Sequence, residues 1–180
     1  GDFLMWNWHG AWYDMEVAFE NGVTYVKIPH VDIQYYSNWE KEQVLAAEIE
    51  RVLDELNVYE MSDYDKVCAI YDYVCSNISY SKEVENNVSQ WGSEADWDDH
   101  SAYGGLILKE TVCQGYCTLM YRMLLQAGIE NRVIVGETHG WNLVQLDGKN
   151  YLLDATWDAG NEVYLYFLNG QTSFRESHDV

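Results

Sequence analysis

Basic residues are scarce in this chain: 180 residues hold 10 Lys and Arg against 30 Asp and Glu, a formal charge of −20 with histidine neutral. A nucleic-acid backbone is bound through a basic stripe and an anionic lipid surface through basic clusters, so the charge argues against both as partners. An acidic surface of this kind keeps a protein soluble and admits neutral or basic partners. No apolar run reaches the roughly 18–20 residues of a membrane span, so membrane insertion is not expected. Gly1-Asp2-Phe3 lacks the basic start of a secretory leader, which leaves the compartment open. C-x-x-C pairs, Cys/His arrays at zinc spacing and Gly-rich phosphate loops are all missing, and no cofactor or metal is expected. Asp96, Asp98, Asp99 and His100 bring oxygens together, but at a spacing that fits no EF-hand, and they read as a solvated acidic loop.

Cysteine and proline are also few. Of the four cysteines, Cys68 and Cys75 stand about 10 Å apart at ~1.5 Å per helical residue, too far to bridge. Cys113 and Cys117 are one helical turn apart, where a disulfide would be strained. The single proline, Pro29, closes the first region of the chain. With no linker or repeat, residues 1–180 read as one domain, 1–60 being an N-terminal extension of strands plus a helix and 62–170 the core.

What is plentiful is apolar and aromatic surface. Hydrophobic residues make up 48% of the chain and aromatics 15%, with 8 Trp and 15 Tyr, enough for a packed core. Met15, Val17 and Phe19, then Val23, Tyr25 and Ile28, flank Asn21-Gly22 and predict two short strands on a hairpin turn. Ser37-x-x-Glu40 fits a capping box ahead of a helix over 38–57 with Leu45, Ile49, Val52, Leu53 and Leu56 at helical spacing. Ser62-x-x-Asp65 opens a second helix that ends near Asn77, and a long polar loop fills 81–100. A third helix runs from Val112 to Ala127 and stops at Gly128. Strands are predicted at Arg132–Val135, Trp141–Leu146, Asn150–Thr156 and Val163–Leu168, the middle two joined by an Asp147-Gly148 turn. The fold class is α+β, with helices leading and an antiparallel sheet following.

Two features of this layout carry chemistry. Thr111-Val112-Cys113-Gln114 reads as a T-x-x-Q capping box, which places Cys113 in the first turn of the third helix, where the dipole favours the nucleophilic thiolate. With a two-residue turn at Asp147-Gly148, His139 and Asp154 become diagonal neighbours on one face of the hairpin; a three-residue turn would separate them. A carboxylate behind an imidazole fixes its tautomer and orients it. Nucleophile, base and orienting acid then come from one helix start and one adjacent hairpin. His9, His30 and His178 offer no pairing with a charged group, and Asp158 reads as a turn or cap residue.

The segments Thr111-Val112-Cys113-Gln114-Gly115-Tyr116-Cys117, His139-Gly140-Trp141-Asn142 and Tyr151-Leu152-Leu153-Asp154-Ala155-Thr156-Trp157-Asp158 closely resemble the motifs of bacterial transglutaminase-like domain proteins. Ile70–Val74, Ile78–Tyr80, His100–Gly104 and Tyr166–Leu168 are similar to the segments that frame those motifs. The resemblance covers 62–170 and implies a papain-like core: a nucleophile-bearing helix packed on an antiparallel sheet. It implies Cys113 as nucleophile, His139 as general base and acid, and Asp154 as its orienting partner. The Cys113 N–H at the helix start is one candidate oxyanion donor, with Tyr80, Trp91 and Tyr103 as side-chain candidates and Gln114 and Trp141 as substrate-side candidates. Two positions depart from the pattern: Cys117 stands for a small Ala or Ser, and Gly140 for Ala. The implied activity is acyl transfer on a peptide or protein substrate, hydrolysis ahead of amine transfer, because a compact domain has few segments with which to build an acceptor site. An idle peptide-binding or surface-interaction module is the alternative from outside the enzymes.

Overall fold

The computed structural model describes residues 7–82 and 97–178. It begins with an antiparallel ribbon, β1 (Trp8–Glu20) and β2 (Val23–Tyr35), turning on Asn21-Gly22 with φ of 53° and 81°. Positive φ at both central residues is the mirror-image turn that matches strand twist, which is why Asn-Gly sits there. The strands are thirteen residues each rather than short. Pro29 does not end the ribbon. It lies inside β2 where the register slips between Asp14 and Glu16, a bulge that asks no N–H of it.

Glu20 pairs with Val23 and Val17 with Val26, so the alternation sorts differently from the sequence reading. Val23 and Tyr25 share a face with Glu20 and Ala18. The apolar face is Tyr13, Met15, Val17, Phe19, Val26, Ile28, Val31 and Ile33, each at least 50% exposed.

Helix α1 (Trp39–Glu55) buries Leu45, Ile49, Val52 and Leu53. Its cap is Asn38, which accepts from the Lys41 N–H, and not Ser37, whose hydroxyl is turned to Glu42. Helix α2 (Asp63–Asn77) is capped by Ser62 as expected and buries Val67, Ile70, Tyr71 and Val74. Two short strands, β3 (Ser79–Tyr80) and β4 (Glu110–Thr111), pair in parallel on either side of the 81–100 region. A five-residue π-helical turn over Gly104–Leu108 leads into β4. A Cβ on Gly104 would lie 2.0 Å from the Asp98 carbonyl oxygen, so only glycine fits there.

Helix α3 (Cys113–Gln126) runs through the centre, burying Tyr116, Leu119, Met120, Met123 and Leu124 against α1, α2 and the sheet. That sheet has order β5-β6-β7: β5 (Asn131–Val135), β6 (Gly140–Leu146) and β7 (Lys149–Leu153), antiparallel throughout. Asp147-Gly148 forms the two-residue turn, pairing Leu146 with Lys149. Two strand expectations need correction. The chain leaves β7 at Leu153, because Asp154 caps a one-turn helix α4 (Ala155–Asp158). The 163–168 run joins no ladder. It crosses the end of β7 with one isolated bridge, Leu152 to Asn169, and is pinned by the Asp158 carboxylate, which accepts from the Leu165 and Tyr166 N–H groups at 2.9 Å each. A last turn, α5 (Gln171–Phe174), folds back beside the sheet.

Candidate active site

Cys113 is the first residue of α3, partly exposed at the mouth of a cleft of about 450 Å³. Its helix is not opened by the predicted Thr111 box: Val112 is the cap residue and makes no side-chain cap. The Thr111 hydroxyl donates instead to the Asp99 carbonyl at 2.6 Å, tying the strand that leads into Cys113 to the preceding turn. The close fit at this turn is set by Gly115, where a Cβ would lie 1.7 Å from Thr111 Oγ1 and 2.7 Å from the Ser101 carbonyl. The first N–H groups of a helix have no partner within it, and the Cys113 amide is one of these.

His139 ends the loop between β5 and β6, with its carbonyl accepting from the Gly136 N–H at 2.8 Å. Its Nε2 lies 2.7 Å from Asp154 Oδ2 and it also hydrogen-bonds Cys113, which leaves Nδ1 as the nitrogen facing the sulfur. Burial pulls the ring's pKa down, but the hydrogen bonds to Asp154 and Cys113 outweigh it and raise it to about 9. Trp157 stacks on the ring at 5.1 Å and 19°, holding its plane.

Asp154 is fully buried with every acceptor position engaged. Oδ1 accepts from the Thr156 and Trp157 N–H groups at 2.9 and 3.3 Å as the cap of α4. Oδ2 takes His139 and also His178, whose Nε2 is 3.0 Å away. Sequence reading missed His178. It lies far along the chain with no periodic signal, and its pairing exists only because α5 folds back.

Gln114 borders the cleft and hydrogen-bonds Tyr36. Trp8, His9 and Tyr36 from the ribbon base, and His100, form the facing wall. The other named candidates lie elsewhere. Trp141 is 2% exposed and packs behind His139 against Phe174 and His178, because the inward side of β6 faces the core. Tyr80 and Tyr103 pack on the core edge and do not border the cleft, Tyr103 lying under the Lys41 ammonium. Trp91 and Asp96 lie outside the described residues. Asp98 pairs with Lys41, while the Asp99 carbonyl holds Val112 and Thr111.

His139, Asp154 and His178 are the one group among the described residues with metal-ligand proximity, their atoms all within 4.8 Å. Ligands around a small cation at ~2.0–2.2 Å stand roughly 3.3 Å apart. The N···O separations of 2.7 and 3.0 Å are hydrogen bonds instead. Burial raises the thiols of Cys68, Cys75 and Cys117 and so suppresses their nucleophilic form.

The two departures from the sequence pattern meet in space. A Cβ on Gly140 would stand 3.3 Å from Cys117 Sγ, so the smaller residue makes room for the larger one.

The family model of the transglutaminase-like superfamily matches residues 50–172. The chain belongs to the transglutaminase-like superfamily. The mouse kyphoscoliosis peptidase is 28% identical over 146 residues, 65% of this chain and 21% of that protein. The human kyphoscoliosis peptidase is 24% identical over 188 aligned residues, 85% of this chain and 27% of that protein. The chain thus spans about a quarter of the length of these relatives. A solved structure described as a TGase superposes with a TM-score of 0.58 at 20% identity, over 92% of this chain and 50% of its own. That likeness carries the fold, an α+β arrangement with a papain-like core.

Proposed function

We propose that this chain is a cysteine-dependent acyl-transfer enzyme that hydrolyses peptide or isopeptide amides. The observation that carries the reading is the His139 ring held at 2.7 Å by the buried Asp154, hydrogen-bonded to Cys113 at the mouth of an open cleft. The peptidase names of the curated relatives point the same way.

In this mechanism the His139 ring, whose pKa is raised to about 9, already holds the Cys113 proton on Nδ1 when the sulfur attacks the amide carbonyl, and Asp154 balances the imidazolium through Nε2. The tetrahedral oxyanion is met by the Cys113 N–H, a donor worth ~3–4 kcal/mol to such a transition state. His139 then gives its proton to the leaving amine, and the C–N bond breaks to leave a thioester. Water enters from the cleft and loses a proton to Nδ1 as it attacks the thioester. The intermediate collapses to a carboxylic acid, and the proton stays on Nδ1 beside the departing Cys113 sulfur.

The test is brief, substoichiometric iodoacetamide treatment with mass spectrometry, alongside peptide digestion in the presence of a labelled amine. Labelling confined to Cys113, lost in His139→Ala, with peptide cleavage and no amine incorporation, is the expected result. Equal slow labelling of all four thiols without cleavage would leave a binding module. Amine incorporation without cleavage would make the enzyme a transferase.

A further inference from the structure

We propose that His178 is a positioning residue of the triad, fixing the Asp154 carboxylate and sharing its charge with His139; this rests on the catalytic reading above. The ring is 1% exposed and both nitrogens are engaged: Nε2 at 3.0 Å from Asp154 Oδ2 and Nδ1 at 2.9 Å from Ser177 Oγ. Phe174 stacks on it at 3.8 Å and 21°, with Trp157 at 4.2 Å and Trp141 at 5.0 Å. A phenyl ring would fill this aromatic box as well as imidazole does. An imidazole is costly to bury unless its polar atoms are partnered, and here the partner is the triad's own acid.

An ionised carboxylate only accepts, so Nε2 of His178 carries a proton toward Oδ2, while Ser177 Oγ, whose hydroxyl also reaches the Phe174 carbonyl at 3.3 Å, holds the Nδ1 side of the ring in place. The two imidazole N–H groups, His178 Nε2 and His139 Nε2, both donate to the same Oδ2. Two donors from opposite ends of the site pin that oxygen, while two backbone N–H groups pin Oδ1. The groups facing Asp154 are these two histidines, the Tyr71 hydroxyl and Asp158 carboxylate from the α2 and α4 side, and the Cys75 and Cys117 thiols. Only His178 and His139 donate to Oδ2 among them. Part of the carboxylate's negative charge is therefore spent on His178, which keeps the His139 imidazolium from being held too tightly to return its proton.

The experiment compares the parent with His178→Phe, which keeps the stack and removes the donor, and His178→Gln, which supplies an N–H of similar reach. The readouts are the NMR titration of His139 and steady-state peptide hydrolysis. In His178→Phe the His139 titration moves upward, and kcat falls about ten- to a hundredfold with KM within about twofold. His178→Gln returns both toward the parent. An unmoved or lowered His139 titration, or equal kcat losses in the Phe and Gln variants, overturns the proposal. Should the Phe variant fail to fold, His178→Asn, too short to reach Oδ2, takes its place. A parent that cleaves nothing and alkylates Cys113 no faster than Cys68 defeats the catalytic reading alone, since the His139 titration still decides the role of His178.

Discussion

The β1–β2 and β6–β7 hairpins reverse on the same device, a two-residue turn with both central residues at positive φ, Asn21-Gly22 in one and Asp147-Gly148 in the other. In both the pairing next to the turn follows from it, Glu20 opposite Val23 and Leu146 opposite Lys149. In the second hairpin Val144, Leu146, Leu152 and Leu153 are buried, because α3 and the returning C-terminal segment cover its two faces. In the first, all eight side chains of the apolar face remain at least half exposed. Hairpin formation is local chemistry, whereas burial needs a second element at the right distance. His139 and Asp154 flank the covered hairpin, just before β6 and just after β7, where packing fixes side chains. The ribbon contributes its base, where Tyr36 stacks on His100 at 5.4 Å and His9 lies tilted against Trp97 at 5.2 Å.

The largest effect that sharpens this comparison is expected at the acid. Asp154→Ala would strand two histidine donors and two backbone N–H groups in the core, costing about 3–5 kcal/mol in urea denaturation and, under the proposed mechanism, abolishing peptide cleavage. Next, Leu153→Ala on the covered hairpin should cost about 2–5 kcal/mol. Phe19→Ser on the ribbon should stay within ~0.5 kcal/mol. Equal losses for these two would mean that the ribbon face is covered after all, and the contrast between the hairpins would fall.

A smaller effect follows from His139, whose pKa in the fold is raised from 6.5 to about 9. A raised pKa means the folded state binds the proton more tightly than the unfolded chain. The stabilisation is complete below pH ~6.5 and is lost as pH rises through about 9, at no more than ~1.4 kcal/mol per pH unit. His139→Gln should flatten the stability curve in that window; an unchanged slope would refute the link. Smallest is the Gly140–Cys117 pair. Gly140→Ala should cost about 1 kcal/mol in the parent and much less in Cys117→Ala, a coupling that a double-mutant cycle reads directly.

Much of this was legible before any coordinates. The Ser62 cap, the Asp147-Gly148 turn and the Gly128 stop are local devices whose residues specify their own geometry, and all three occur where the chain predicts them. The predicted His139–Asp154 proximity is present at 2.7 Å because the turn has an even number of residues. The Thr111 and Ser37 caps were misplaced because a hydroxyl offered two partners takes the one that tertiary contacts supply, Asp99 for Thr111 and Glu42 for Ser37. The Val163–Leu168 strand failed for a related reason. Its apolar pattern is satisfied by packing, while its N–H groups are claimed by the Asp158 carboxylate rather than by a neighbouring strand.

Periodicity, caps and turns act over a few residues, and they determined the helices, both hairpins and the pairing of one imidazole with one carboxylate. Which thiol lies beside that imidazole, which wall faces it and which second histidine shares its acid depend on contacts such as Asp154 with His178, 24 residues away. Those were decided when α3 packed on the sheet and the chain after Asn169 folded back over it. No local rule encodes such long-range closure, because the partners meet only after the intervening chain has found its own shape.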